Sequence, residues 1–156
     1  MKGITIALLA AVITTMSAWA QTKQTNKMEK RVINPWQWQD ARSYVQAVEV
    51  KNVTGTLYVS GQTAIDPDGK ASDSDMKTQL ILAIENLEKV IAEAGYEPKN
   101  IVRLNIYTTS SAELWPHFNI LQEWISKHGM TQAVTFLEVK SLFETLSVEL
   151  EATVVK

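Results

Sequence analysis

The sequence predicts an α+β domain in which two amphipathic helices cover one face of a mixed sheet of about six strands. The first observation is the segment from Asp75 to Ala94, whose apolar residues recur at helical spacing. The second is a similar stripe from about Ala112 to Lys127. The third is a series of short segments that alternate apolar and polar residues, which is typical of strands. Of the 156 residues, 46% are hydrophobic, enough for one such core.

The N-terminal half of the domain is predicted to be mostly strand. Arg31 to Asn34 is a short candidate, and Tyr44 to Val50 and Thr56 to Thr63 are rich in Val, Tyr and Thr. Lys51 to Gly55 would form a hairpin loop between the latter two. Asp66-Pro67-Asp68-Gly69 predicts a turn, because proline presets φ and glycine accepts a positive φ.

The two helices carry signals at their ends. Ser74 is the predicted N-cap of the first helix, and Gly95 stands where a left-handed C-cap is needed. Ser111 is the candidate cap of the second helix, and Gly129 ends it. Pro116 falls near its first turn, where proline costs little.

The remaining strand candidates are Ile101–Thr108, Gln132–Val139 and Ser147–Val155. In the last of these, one set of alternating residues is apolar and suits the helix side. The other set points away from the helices, and it is joined there by polar residues of the neighbouring strands: Glu149, Glu151, Thr153, Arg103, Asn105, Tyr107, Tyr58, Ser60 and Gln62.

The first thirty residues are expected to precede the domain. Lys2 is followed by an uncharged apolar run from Ile4 to Met16, and Ala18-Trp19-Ala20 fits the small-x-small pattern of signal peptidase sites. The run is shorter than the about 20 residues of a membrane-spanning helix. Residues 1–20 are therefore predicted to be a signal peptide, with an uncleaved anchor as the alternative. We expect a periplasmic or secreted protein, without a stable membrane anchor after cleavage, whose residues 21–30 form a flexible leader before a domain at residues 31–156.

Composition excludes several kinds of chemistry. The chain has no cysteine, which rules out disulfides, thiolate nucleophiles and cysteine-based zinc sites. His117 and His128 have no ligand pattern around them and are interpreted as surface residues, so we expect no metal and no other cofactor. The net charge of −2 supplies no basic face, so nucleic acid is not an expected partner.

Five segments, taken in order, carry a resemblance to a known family. They are Tyr44-Val45-Gln46-Ala47-Val48, Tyr58-Val59-Ser60-Gly61-Gln62 with Asp66-Pro67 after it, Glu85-Asn86-Leu87, Ile101-Val102, and Val148-Glu149-Leu150-Glu151-Ala152. Together they resemble the Rid family, the reactive-intermediate deaminases, over residues 31–156. The resemblance implies a fold like that of the trimeric bacterial chorismate mutase and a homotrimer that packs through the uncovered sheet face. It also implies small-molecule clefts between subunits, where typical members hydrolyse enamines and imines of 2-oxo acids.

The resemblance also implies site residues. Tyr44, Ser60 and Glu149 match the catalytic tyrosine, serine and glutamate of the family, and Gly61 and Asn119 match residues that line the cleft. A glutamate suits this reaction, because imine hydrolysis needs a water deprotonated near carbon and a proton delivered to nitrogen. Without the resemblance, Tyr44 and Ser60 could be ordinary strand residues, and Glu149 could be a solvated charge.

The sequence departs from the family at the arginine that binds the substrate carboxylate. Counting back from Glu149, Val134, Thr135 and Phe136 stand where typical members have arginine, serine and cysteine. An unpaired carboxylate buried there would lose about 3–5 kcal/mol of binding. Strand alternation is expected to put Val134 and Phe136 on the cleft side, with Arg103 on that same sheet face as a candidate substitute.

Three hypotheses stay open at this point. The first is an exported Rid-type hydrolase for an enamine or imine without a carboxylate at the usual place, favoured by the retained Tyr44, Ser60 and Glu149. The second is a catalytically silent trimer that binds a small apolar ligand, favoured by Val134 and Phe136. The third is a protein-interaction module, which a site face exposed in a monomer would favour.

Overall fold

A four-stranded sheet with helices packed on one face forms the body of the computed structural model, which describes residues 27–156. The elements are β1 (Glu29–Ile33), β2 (Ala47–Lys51), β3 (Thr56–Gln62), α1 (Met76–Glu93), β4 (Ile101–Thr108), α2 (Ser111–Leu114), α3 (Phe118–His128), β5 (Ala133–Glu138) and β6 (Val148–Val155). The sheet order is β3-β6-β4-β5; β4 and β5 run parallel, and the other neighbours are antiparallel. The predicted α+β class with a mixed sheet is confirmed.

The predicted signal peptide, residues 1–20, and residues 21–26 of the predicted leader lie outside the described residues. Glu29 and Lys30 already belong to β1, so the first strand begins two residues before the expected Arg31. A search of the described residues for a helix long and apolar enough to cross a membrane finds none.

β1 and β2 form a separate antiparallel ribbon and do not extend the main sheet. Arg31 Nε donates to Glu49 Oε2 at 2.8 Å across the ribbon. The predicted hairpin between the second and third strands is therefore wrong. The loop between them is tied to the C-terminus, because the N–H groups of Thr54 and Gly55 donate to the carbonyl of Lys156. The chain thus enters β3 aligned with β6 and does not fold back on β2.

Alternation along β6 separates the two faces of the sheet. Leu150 and Val154 are fully buried against α1, and Glu149 and Glu151 between and beside them keep partial exposure. Burying one such leucine contributes about 1.5–3 kcal/mol, so the helix-covered face fixes the strand's orientation. A β-bulge between Val59 and Gln62 interrupts this pattern in β3. Gln62 consequently lies opposite Leu150 and leaves the face that it was expected to share with Tyr58.

The N-terminal caps of both helices differ from the sequence expectation. Asp75, and not Ser74, caps α1: its Oδ1 accepts from Thr78 N at 2.8 Å. The second predicted helix is divided, with α2 capped by Ser110, a 3₁₀ turn over Trp115–His117, and then α3. Pro116 causes the division, because proline has no N–H to donate to the carbonyl four residues earlier. Gly95 and Gly129 have φ values of +72° and +59°, as the predicted C-cap positions require.

Glu88 joins α1 to α3. Trp124 Nε1 donates to Glu88 Oε1 at 2.8 Å, and His128 Nε2 lies 2.8 Å from the same oxygen. His128 is therefore a half-buried helix-to-helix contact and not the surface residue that was expected. Among residues 27–156, no group of three or more histidine, aspartate or glutamate residues is arranged to hold a metal ion.

Candidate active site: an aromatic pocket and a carboxylate corner

An aromatic pocket of about 660 Å³ opens at the β5 edge of the sheet, on the helix side. Its floor comes from β4 and β5, one wall from the 3₁₀ turn and α3, and the other wall from the segment before β2. Most of its lining is aromatic or aliphatic, and its polar residues come mainly from the segment before β2. The lining residues are Tyr44, Ile106, Trp115, Phe118, Ile125, Val134, Phe136, Arg42, Ser43, Gln46 and Gln122.

Three rings form the aromatic wall of this pocket. Trp115 stacks on Phe136 with ring centroids 5.2 Å apart and an angle of 25° between the planes, and it lies 4.8 Å from Phe118. The division of the helix at Pro116 accounts for the position of Trp115, because the 3₁₀ turn carries it out of the α-helical path. Trp115 keeps 55% of its surface exposed, so a ligand in the pocket can contact it.

A carboxylate corner lies on the opposite, open face of the sheet, at the bulged end of β3; we use this name for Ser60, Gly61, Glu149 and Glu151. The Glu149 side chain fills the space above Gly61, and a Cβ added to Gly61 would overlap the Glu149 carboxylate. Position 61 therefore requires glycine because of the Glu149 side chain, whether or not a ligand approaches the backbone. Ser60 is exposed beside it.

The electrostatics of the corner act mainly on the pKa of Glu149. Burial raises the pKa of Glu149 above its usual value, and the negative charge of Glu151 raises it further. Glu151 is held in place, because Asn105 Nδ2 donates to its Oε2 at 3.1 Å and Tyr107 Oη donates to the same oxygen at 2.9 Å. The hydrogen bond to Glu151 also raises the pKa of Tyr107.

The structure divides the predicted site residues into two groups. Tyr44, Val134 and Phe136 line the aromatic pocket, whereas Ser60, Gly61 and Glu149 form the carboxylate corner. The pocket is on the helix side and the corner on the open side of the same sheet. Within one chain, a small molecule in the pocket therefore cannot reach Glu149.

The expectation that Arg103 shares a sheet face with Val134 is wrong. β5 pairs with β4 in parallel, Val134 lies opposite Leu104, and residues opposite each other in a pair point to the same face. Val134 therefore faces the helices with Leu104. Arg103 lies on the open face and donates from Nη2 to Thr135 Oγ1 at 3.0 Å.

Asn119 does not line the pocket. It is exposed on α3, and its Nδ2 donates to Glu123 Oε1 at 3.3 Å, one turn along the same helix. Trp115 and Phe118 line the wall where Asn119 was expected, and the sequence analysis did not assign them to the site. Their signal in the sequence was the aromatic pair three residues apart around Pro116.

The helix-covered mixed sheet, the glutamate above a strand glycine and the edge pocket define a small α+β protein of the Rid fold. The chain belongs to the family described as endoribonuclease L-PSP, whose model matches residues 37–156. A RutC family protein of Aquifex aeolicus is 32% identical over 113 residues, which are 72% of this chain and 88% of that protein. An Escherichia coli protein named "Putative reactive intermediate deaminase TdcF" is 22% identical, covering 72% of this chain and 86% of that one. The crystal structure of the Rid family protein YyfB from Yersinia pestis is similar with a TM-score of 0.71 and 29% identity, over 81% of this chain and 98% of that one.

Proposed function

We propose that the protein is a Rid-type hydrolase that deaminates an enamine or imine in clefts between the subunits of a homotrimer. The observation that carries the proposal is Glu149, whose partly buried carboxylate has a raised pKa and lies directly above Gly61. A carboxylate whose pKa moves toward neutrality can both accept and donate a proton in one reaction cycle. The relative named as a reactive intermediate deaminase supports the same reaction class.

In the proposed reaction, Glu149 takes a proton from water while the water oxygen bonds to the imine carbon. The proton then passes to nitrogen, the carbon–nitrogen bond breaks, and the products are a carbonyl compound and ammonia. An enamine first tautomerises to the imine by proton transfer to carbon. The reaction consumes one water, and side chains of the protein carry out the proton transfers.

The division of the site residues between two faces supports an intersubunit cleft. A second copy that packs against the open face can bring its carboxylate corner to the rim of the aromatic pocket. The open face also carries large exposed groups that a neighbour would cover, among them Tyr58 with 80% of its surface exposed. A substrate between the two copies would then contact Tyr44 from one chain and Glu149 from the other.

The proposed substrate differs from the small 2-imino acids that typical family members hydrolyse. Val134 offers no positive charge to a carboxylate at the usual place. We expect little turnover of 2-iminopropanoate and 2-iminobutanoate. Nucleic acid is not proposed as a substrate, because the net charge of −2 supplies no basic face for a phosphate backbone.

A second function, non-catalytic binding of a small ligand by the same trimer, is favoured by one observation. The Trp115–Phe118–Phe136 wall could hold an apolar molecule without any help from Glu149. The two functions differ in whether imine loss depends on Glu149.

The test is an assay in which an amino acid oxidase generates the imine in place and its disappearance is followed. Glu149→Gln should lower kcat by about 10²- to 10⁴-fold. Glu93→Gln, on the exposed end of α1, is the matched control and should leave the rate unchanged. Wild-type protein that removes no imine, or turnover equal in Glu149→Gln, would favour the binding function.

Mixed assemblies test the intersubunit cleft. Glu149→Gln and Tyr44→Ala are each expected to be inactive as pure trimers. When co-expressed they should regain activity, because some clefts then combine an intact Tyr44 with an intact Glu149. Light scattering must show a trimer of residues 21–156, and native mass spectrometry must show mixed trimers. Mixed trimers without activity would place the complete site elsewhere.

We also propose that the protein acts outside the cytoplasm, after removal of residues 1–20. The apolar run and Ala18-Trp19-Ala20 support this location. Mass spectrometry of the exported fraction should find a chain that starts at Gln21. An intact Met1 in that fraction would contradict the cleavage.

A further inference from the structure

The aromatic pocket contains a positive charge in a place that the family comparison does not suggest. Among the described residues that line it, only Arg42 carries a charge. Arg42 ends a short 3₁₀ turn (Asp40–Arg42) before β2, whereas Trp115 begins the 3₁₀ turn after α2. The pocket thus lacks an arginine at position 134 but has one at position 42.

The segment that carries Arg42 is fixed to the start of β5. Gln132 Nε2 donates to the carbonyl of Ser43 at 3.0 Å, and Val45 N donates to the carbonyl of Gln132 at 3.1 Å. Ser43 has a φ of +57°, a left-handed conformation that turns the chain between Arg42 and Tyr44. Gln132 is fully buried, so these bonds hold the wall of the pocket from the protein interior.

The Arg42 guanidinium is held by a ring, and its hydrogen-bonding edge is left available. Its Cζ lies 5.2 Å from the ring centroid of Trp38, and the Trp38 ring lies 6.4 Å from that of Tyr44. Stacking on an aromatic face occupies the flat side of a guanidinium, whereas carboxylates bind to its N–H edge. Trp38 therefore restricts Arg42 without competing for the groups that would bind an anion.

No acidic side chain described in residues 27–156 forms an ion pair with Arg42. The other two arginines of this part of the chain are engaged: Arg31 pairs with Glu49 at 2.8 Å, and Arg103 donates to Thr135 at 3.0 Å. Arg42 is consequently the guanidinium that a ligand in the pocket can recruit.

We infer that Arg42 binds the substrate carboxylate in place of the family's arginine, and that the substrate is a 2-imino acid with an aromatic side chain. This inference rests on the proposed function. A carboxylate on Arg42 directs the rest of the molecule toward Trp115, Phe118 and Phe136, which offer flat apolar surfaces to a ring. The pocket volume of about 660 Å³ lies in the usual range for small-molecule sites and exceeds what a three- or four-carbon imino acid fills. Hydrolysis would give an aromatic 2-oxo acid and ammonia.

Calorimetric titration with three stable probes tests both halves of the inference. Phenylpyruvate has the ring and the carboxylate, phenylacetone lacks the carboxylate, and 2-oxobutanoate lacks the ring. Wild-type protein should bind phenylpyruvate at least about tenfold more tightly than either other probe. Arg42→Gln should weaken phenylpyruvate binding by about 10- to 100-fold and leave phenylacetone binding unchanged. Lys77→Gln, on the exposed side of α1, also removes one positive charge; it is the control and should change neither affinity.

Each contrary result has a distinct meaning. Equal affinity for phenylpyruvate and phenylacetone, or phenylpyruvate binding unaffected by Arg42→Gln, would overturn the role of Arg42. Wild-type protein that binds none of the probes, or prefers 2-oxobutanoate, would overturn the aromatic substrate class. The imine assay separates these failures from that of the proposed function: turnover that depends on Glu149 can persist without Arg42, and binding through Arg42 can occur without any turnover. A melting curve of Arg42→Gln confirms that the variant is folded.

Discussion

Residues of the helix-covered face and of the open face alternate along the same strands, but the two sets differ in burial and in chemistry. On β6, Leu150 is completely buried beneath α1, whereas its neighbours Glu149 and Glu151 keep their carboxylates on the open side. The covered face is complete within one chain. The open face carries a glutamate with a raised pKa and the exposed Tyr58, and in the proposed assembly a second copy packs against both.

The difference between the covered and the open face explains why the proposed site needs both. The aromatic pocket is an opening at the edge of the covered side and supplies shape and apolar surface. The carboxylate corner lies on the open face, and the proposed proton transfer takes place there. In the proposed cleft the pocket and the corner come from different chains, so assembly and activity should be lost together.

The largest expected effect comes from the covered face. Leu150→Ala should lower the free energy of unfolding by about 2–5 kcal/mol, because it removes a fully buried side chain and leaves a cavity. Thr153→Ala, on the open side of the same strand, should cost less than about 1 kcal/mol. Denaturant unfolding at one fixed protein concentration measures both. Similar losses for the two variants would mean that the open face contributes as much packing as the covered face.

A second prediction concerns the glycine under Glu149. Gly61→Ala should reduce imine turnover by about 10²-fold, because the added Cβ overlaps the carboxylate and displaces it, and a shift of about 1 Å is enough to cost that much. Gly69→Ala is the control. Its φ of +83° makes alanine unfavourable there, but no atom lies within 4 Å of the added Cβ. It should lower stability and leave turnover unchanged; normal turnover in Gly61→Ala would remove Glu149 from the mechanism.

A third prediction uses the pocket side. Val134→Arg places a guanidinium where typical family members have one. It should raise turnover of 2-iminobutanoate by about tenfold, which corresponds to part of the free energy of a hydrogen bond between charged groups. The same change in a Glu149→Gln background should give no increase. Because Val134 packs against the core, a melting curve must accompany the kinetics. A folded Val134→Arg with unchanged turnover would mean that the pocket does not take the carboxylate near β5.

The strong periodic elements were predictable from the sequence. The bounds of β4 agree with the expectation at both ends, and α1 differs from it by one residue at each end, because long amphipathic patterns depend on local spacing alone. The alternation of Glu149 with Leu150 was equally clear. The resemblance to Rid proteins then gave the family, which the match over residues 37–156 confirms.

Features that depend on distant partners were missed. The sheet face of Val134 follows from its parallel register with Leu104, and no local pattern encodes a register between separate segments. The entry of the chain into β3 is likewise fixed by hydrogen bonds from Thr54 and Gly55 to Lys156, which is distant in the sequence. Arg42 carried no signal of its own, because it is an exposed residue at the end of a short 3₁₀ turn and its contact with Trp38 is not visible in a local pattern.

The smallest expected effect is electrostatic and separates the two carboxylates of the corner. Glu151→Gln keeps an oxygen that can accept from Asn105 and Tyr107 but removes a negative charge next to Glu149. Burial is the main cause of the raised pKa of Glu149, and Glu151 is the second, so the substitution should lower that pKa only in part. If the ionised Glu149 accepts the proton of water, the acidic limb of the kcat/KM profile must move to lower pH.

The stability of the fold should change in the matching direction. A carboxyl group whose pKa is higher in the folded than in the unfolded protein destabilises the fold as the pH rises from the unfolded pKa through the folded pKa. Glu151→Gln should reduce this loss of stability. Glu93→Gln should move neither curve. An acidic limb that stays in place or moves to higher pH in Glu151→Gln would show that another group titrates in the mechanism.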